Sequence, residues 1–343
     1  MSNVRFALTL VTMVACGGSA ASDLASKSWK KLDPVPGLGL SGGGVFDVKG
    51  RIVVSGSVND HTIYRYDPAA RVWSTLGASP VDNSGWVMRG PDGQVLFESN
   101  DAQGLNVLYE LDDTDTWRPF ITLPQGISRI TFGAGGVMWS TVNDGTLTKV
   151  FRRTTSDFIQ TWDVQINASI EPDNLGQIII NRTEDDGIRR IGVLNAEGNG
   201  ATTAYSCNGQ QLPTYCNSSN HHFYTTDGGD LLFVAETVDA RMYRVRAGTT
   251  EPVEEVRMPT EGDNSFEVTT YPVGFGYDAA GNAYSTRWDN RGGPEILFVR
   301  DHSGGAFEFV GRMPGFLTNL LIRPDGTLFC VDGSGAHDFY ILE

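Results

Sequence analysis

Along most of the chain, apolar residues come in short runs broken by polar positions and by turns that carry glycine, aspartate or asparagine. Runs of this length and spacing predict strands, and no long stretch repeats its apolar positions at the period of a helix. One unit recurs: a polar turn, a glycine, then an apolar strand. It reads Phe46-Asp47-Val48-Lys49-Gly50-Arg51-Ile52-Val53-Val54 at its first occurrence and Gly90-Pro91-Asp92-Gly93-Gln94-Val95-Leu96-Phe97 at its second. Further copies surround Gly136, Gly176, Gly229, Gly281 and Gly326, so successive anchor glycines lie 43, 43, 40, 53, 52 and 45 residues apart. Glycine accepts positive φ without steric cost, which lets the two flanking strands reverse tightly as a hairpin. A second hairpin follows each anchor, as in residues 63–67 leading to 72–76 and 107–111 leading to 117–120.

Four strands per unit at that period predict an all-β, seven-bladed β-propeller of four-stranded blades. The long fourth and fifth spacings leave six or eight blades open at this stage. The last copy ends at Phe339-Tyr340-Ile341-Leu342-Glu343, one strand short of a blade. Residues 28–32 supply the missing strand, because Trp29 and Leu32 repeat the spacing of Trp73 and Leu76. Pairing the N-terminal strand with the C-terminal blade would cover an open edge and close the ring. Residues 42–76 resemble a kelch repeat, with Gly42-Gly43-Gly44, the turn Tyr66-Asp67-Pro68 and Trp73 six positions after Asp67. The likeness extends partly over 84–120 and implies the propeller fold, not a function. Residues 155–162 resemble the Asp-box turn of sialidase-type propellers, with Ile159 in place of its glycine, and that resemblance also speaks only to fold.

The N-terminus has a different composition. One positive charge in residues 1–5, an apolar run over 6–15 and then Cys16-Gly17-Gly18-Ser19 make a processing signal, and the run is too short to span a bilayer. Met13-Val14-Ala15-Cys16 resembles the bacterial lipobox, which implies a signal peptide over 1–15 and lipidation of Cys16. Ala20-Ala21-Ser22 leaves an ordinary secretory cleavage open. Gly17 after the cysteine implies sorting to the outer membrane of a bacterial envelope. Residues 16–27 read as a flexible, small and polar tether, and 28–343 as the propeller.

Charge narrows the partners. Forty-one Asp and Glu against 26 Lys and Arg give a net charge of −15, which disfavours nucleic acid and leaves a membrane contact only through the lipid anchor. Export favours a disulfide between Cys207 and Cys216, whereas Cys330 sits in an apolar strand and reads as a core residue. Counting back about eight residues from each anchor glycine places Ser41, Ser84, Arg129, Asn167, His221, Tyr271 and Asn319 at the channel-facing starts of the innermost strands. Such a polar ring suits ligand binding, and also suits a water-filled channel. His221 and His222 point to opposite sides of a strand, so they cannot share a metal. No cofactor is evident, and calcium is the cation that the Asp- and Asn-rich turns at 60, 101, 144, 185–186, 239 and 289 leave open. Two function classes follow: an envelope binding or scaffold module for a protein or carbohydrate, or an envelope enzyme such as a lyase, lactonase or glycan-active hydrolase using Arg129, His221 and Tyr271 near the channel mouth.

Overall fold

The computed structural model describes residues 19–343 apart from 37–39, 57–61, 79–84, 128–129, 155–156, 166–167, 187, 208–222, 236–240, 250–251, 258, 260, 263–265, 316–318 and 333–337. Its strands form seven antiparallel sheets, each a meander in chain order except the last. In that last sheet the order places Trp29–Lys31 outside Phe339–Leu342, followed inward by Leu328–Val331 and Asn319–Ile322. Trp29 pairs with Leu342 and Lys31 with Tyr340, so both ends of the described chain lie in blade 7. Ring closure therefore follows the expected pairing, and the blade count is seven.

All seven anchor glycines adopt positive φ, between 73° and 87°. In three of the seven, an aspartate three places earlier holds the turn. Asp47 accepts the backbone N–H groups of Lys49 and Arg51, Asp173 those of Leu175 and Gln177, and Asp278 those of Ala280 and Asn282. A carboxylate capping two N–H groups, followed by a left-handed residue, fixes a hairpin loop whose twist matches that of its strands. The same device recurs between third and fourth strands with non-glycine residues: Arg71 and Asp115 hold φ of 55° and 59°. Each is clamped by an ion pair, Arg71 to Glu343 and Asp115 to Arg65, which holds the unfavourable backbone in place.

The core is divided rather than central. Adjacent blades share one apolar cluster each. For example, Val53, Ile63, Phe97 and Tyr109 pack between blades 1 and 2, and Ile52, Tyr66, Trp73, Phe329 and Phe339 pack between blades 7 and 1. The closing interface is aromatic, with Trp73 edge-on to Phe339 at 4.9 Å between ring centroids. In blades 1 to 6 the pairing of third and fourth strands shifts register once, as expected for outer strands that must twist further than inner ones.

Two features depart from the sequence reading. Residues 16–27 read as a flexible tether, yet Ala20–Ala25 form a short helix capped by the Ser19 hydroxyl. Its Ala21 and Leu24 are buried against Leu297, Val299 and Met313 of blade 6 and Cys330 and Leu342 of blade 7. Two small apolar residues three apart suffice here because the receiving surface is already formed. The second departure is in blade 6, whose innermost strand, Phe266–Tyr277, is long and pairs at its start with a short fifth strand, Glu261–Gly262. This extension accounts for part of the wide spacing before Gly281.

Candidate functional site at the loop face

A meandering blade puts the start of its innermost strand and its second-to-third turn on one face of the ring, and the anchor turns on the other. The first is called the loop face here. Of the expected ring residues, Ser84, Arg129, Asn167 and His221 lie outside the described residues, as do Cys16 and Cys216. Tyr271 falls within Phe266–Tyr277 and Asn319 opens Asn319–Ile322, on innermost strands as anticipated. Cys207 ends the fourth strand of blade 4, and Cys330 is a buried free thiol whose pKa desolvation drives well above its ordinary range.

The structure instead reveals polar residues one strand further out. Four to six positions after an anchor glycine, towards the loop face, the second strands carry Ser55, Glu98, Ser140, Arg182, Ser285 and Arg287, all buried. Arg182 and Arg287 occupy the same register in blades 4 and 6. Arg182 donates to Glu184 and stacks on Trp162, with its guanidinium carbon 5.3 Å from the ring centroid. Arg287 is 0% exposed and donates from Nη1 to the Pro259 carbonyl at 2.8 Å, whereas its Nε and Nη2 have no hydrogen-bond partner. Desolvation alone lowers its pKa to about 10. Alternation along the strand puts Arg287 on the side of Ala283, which packs in the cluster between blades 5 and 6. The signal was present in the sequence as polar interruptions of apolar strands at one offset from the glycines, in Phe97-Glu98-Ser99 and Ile180-Asn181-Arg182.

Trp86, the first residue of the innermost strand of blade 2, is 63% exposed on the same face. Leu105 and Leu147, in the second-to-third turns of blades 2 and 3, are exposed as well. Beneath Trp86, its strand partner Glu98 accepts a hydrogen bond from the Asn106 amide at 2.6 Å. The aromatic thus stands above a fixed polar base, two residues after the expected Ser84.

The chain adopts the β-propeller fold of several solved structures. A streptogramin B lyase superposes with a TM-score of 0.60 at 15% identity, over 92% of this chain and 97% of that one. An oligogalacturonate lyase in complex with manganese gives 0.60 at 12% identity over 93% and 90%. The WD40 propeller domain of Doa1 gives 0.54 at 15% identity over 92% and 97%. No protein-family model matches the chain, and no curated protein matches its sequence. At these identities the likeness carries the fold alone, and enzymes and scaffolds stand side by side within it.

The acidic turns on the loop face of this propeller are occupied with holding themselves. Asp101 accepts from the Gln103 and Leu105 N–H groups, and Asp144 from those of Thr146 and Leu147 while contacting Lys149 at 3.0 Å. Asp186 forms a two-point contact with Arg190, and Asp289 meets Arg312 at 2.7 Å. Asp60 and Asp239 lie outside the described residues. Among the described residues, no three His, Cys, Asp or Glu side chains converge as metal ligands would.

These turns predict an acid limb in stability. The Arg190 hydrogen bond lowers the Asp186 carboxyl from its ordinary 3.8 to about 2, and backbone and hydroxyl donors lower Asp144 as well. A depressed carboxyl stabilises the fold above its unfolded pKa and ceases to do so as pH falls through the folded one. The urea midpoint should therefore be flat above about pH 5 and fall between about pH 4 and pH 2. Asp186→Asn keeps the turn and removes the charge, so its curve should fall less over that window. Parallel curves for the variant and the original chain would show that Asp186 takes no part in the limb.

Proposed function

We propose that this propeller is a binding module of the bacterial envelope, anchored through Cys16 and presenting its loop face to a protein or glycan. The observation that carries the proposal is Trp86. A large aromatic that is 63% exposed and rooted in a rigid strand, on a face that also exposes Leu105 and Leu147, loses little conformational entropy on binding. Tryptophan in such a place is a preferred anchor for protein surfaces, and its flat face also suits the apolar face of a sugar ring.

The test compares two exposed positions on opposite faces. A photoreactive amino acid at position 86 should crosslink a partner in intact cells, whereas the same group at position 48, where Val48 is 66% exposed on the anchor-turn face, should not. Trp86→Ala should then weaken binding of the crosslinked partner by about 2 kcal/mol, or roughly thirtyfold. Equal adducts from both positions, or unchanged affinity, would remove the loop face from the proposal. Metabolic lipid labelling at Cys16, lost in Cys16→Ala, tests the anchoring separately.

A second reading, an envelope lyase or hydrolase, draws on one observation. Ser285, Thr286 and Arg287 are fully buried polar groups beneath the same face, and Arg287 carries two donors without partners. Such donors suit stabilisation of developing negative charge in a dry site.

A further inference from the structure

The opposite face holds a separate feature. At the anchor-turn end of blade 3, a cleft of about 420 Å³ is lined by Gly135, Gly136, Met138, Arg152, Arg153 and Thr154. Arg152 pairs across the sheet with Trp139, and Arg153 lies next along the strand. Successive side chains leave a strand on opposite sides, but the reach of an arginine at a strand end lets both guanidinium groups turn round the end of the blade and line the same cleft. Each is held by a neutral partner. Arg152 stacks on Trp139 with its guanidinium carbon 5.6 Å from the ring centroid, and Arg153 places Nη1 3.9 Å from the Met138 sulfur.

Among the described residues neither arginine contacts a carboxylate, although carboxylates outnumber basic residues by 41 to 26 and Arg51, Arg65, Arg118, Arg190, Arg244 and Arg312 each lie against one. The Nε of both Arg152 and Arg153 is buried without a hydrogen-bond partner. Gly135 leaves the floor open, with nothing within 4 Å of where a side chain would start and a φ of 67° that disfavours one. Two forked cations without counter-charges, fixed by ring and sulfur contacts and opening on a cleft, match the geometry of a tetrahedral oxyanion. At ordinary ionic strength the bulk negative charge is screened within about 10 Å, so the local pair governs what binds.

We propose that this cleft binds a phosphate or sulfate group between Arg152 and Arg153. The cleft is larger than such a group alone, which favours an ester on a larger molecule as its source. The site is independent of the loop face, so either proposal can fail without the other.

The test is calorimetric titration of the full chain at low ionic strength with inorganic phosphate, inorganic sulfate, glucose 6-phosphate and acetate. Phosphate and sulfate should bind at one site, and acetate about tenfold more weakly, since one carboxylate cannot engage two forks at once. Tighter binding of glucose 6-phosphate than of phosphate assigns an ester as the source, and equal binding assigns the free ion. Arg152→Gln with Arg153→Gln should weaken phosphate at least tenfold, whereas Arg323→Gln, on the same face but beside Asp325, should leave it unchanged. If the double variant fails to fold, Arg152→Lys and Arg153→Lys decide, because each keeps the charge while losing the fork and should still weaken phosphate severalfold at an unchanged melting temperature. No binding of any anion, acetate equal to phosphate, or full affinity in the folded arginine variants would overturn the proposal.

Discussion

A chain that begins at Pro34 is expected to melt about 10 °C below the full protein. The deletion removes Trp29–Lys31, the outer strand of blade 7, together with the Ser28 N–H bond to the Glu343 carbonyl and the Leu32 N–H bond to Phe339. It also removes buried Leu32 from the cluster shared by blades 7 and 1, and the packing of Ala21 and Leu24 on blades 6 and 7. Two buried leucines at about 2 kcal/mol each, with the half-buried Trp29, come to on the order of 5 kcal/mol before the entropy of ordering the segment is subtracted. In a domain of this size each kcal/mol shifts the melting temperature by about 2 °C. A second chain beginning at Lys27 loses only the helix and should fall between the two. The order of the three midpoints, read by calorimetry, separates ring closure from helix packing. If the chains from Lys27 and Pro34 melt together, the strand Trp29–Lys31 does not contribute to closing the ring.

Arg287→Met is expected to act in the other direction and raise stability by about 1 to 4 kcal/mol. A guanidinium with no exposed surface and, among the described residues, no facing carboxylate carries the desolvation cost of a charge, offset by one hydrogen bond to the Pro259 carbonyl. Methionine has similar length, adapts to irregular space and needs no partner. Replacing buried charge by apolar side chains of like volume is neutral or stabilising in comparable cases, and no ion pair among the described residues is lost in exchange. Chemical denaturation of the variant gives the sign directly. A loss of stability would mean that the guanidinium is better satisfied than its single hydrogen bond indicates. A gain would identify Arg287 as a residue kept in spite of its cost to the fold, as expected of a group with work to do at the loop face.

The architecture was legible because its punctuation is local. Gly50, Gly93, Gly136, Gly176, Gly229, Gly281 and Gly326 mark turns whose conformation few other residues accept, and all seven hold positive φ. Strand closure was legible because Trp29 and Leu32 copy the spacing of an outer strand elsewhere in the chain. The helix Ala20–Ala25 was not, since six residues contain too little of a helical period and its formation depends on Ser19 and on a surface made by distant strands. That the loop-face aspartates sit in turns was legible, but Lys149, Arg190 and Arg312, which offset their charges, are brought in by pairing between strands. Trp86 and Arg287 illustrate the remaining gap. A tryptophan opening a strand reads as core, and an arginine within a strand reads as exposed. Only the packing of neighbouring blades inverts both.

The helix at the N-terminus also bears on how the propeller would sit at a membrane under the proposed anchoring through Cys16. It packs in the seam between blades 6 and 7, with its first residues at the anchor-turn end of blade 6, where the Ala20 N–H donates to Asp301 at 3.3 Å. Four residue steps separate Cys16 from Ala20, a reach of about 14 Å when fully extended. A lipid on Cys16 would therefore hold the disc by the edge of its anchor-turn side at blades 6 and 7. In that posture the Arg152–Arg153 cleft shares the tethered side and the Trp86 face is turned away from it, so one anchored molecule would offer a near side to one partner and a far side to another.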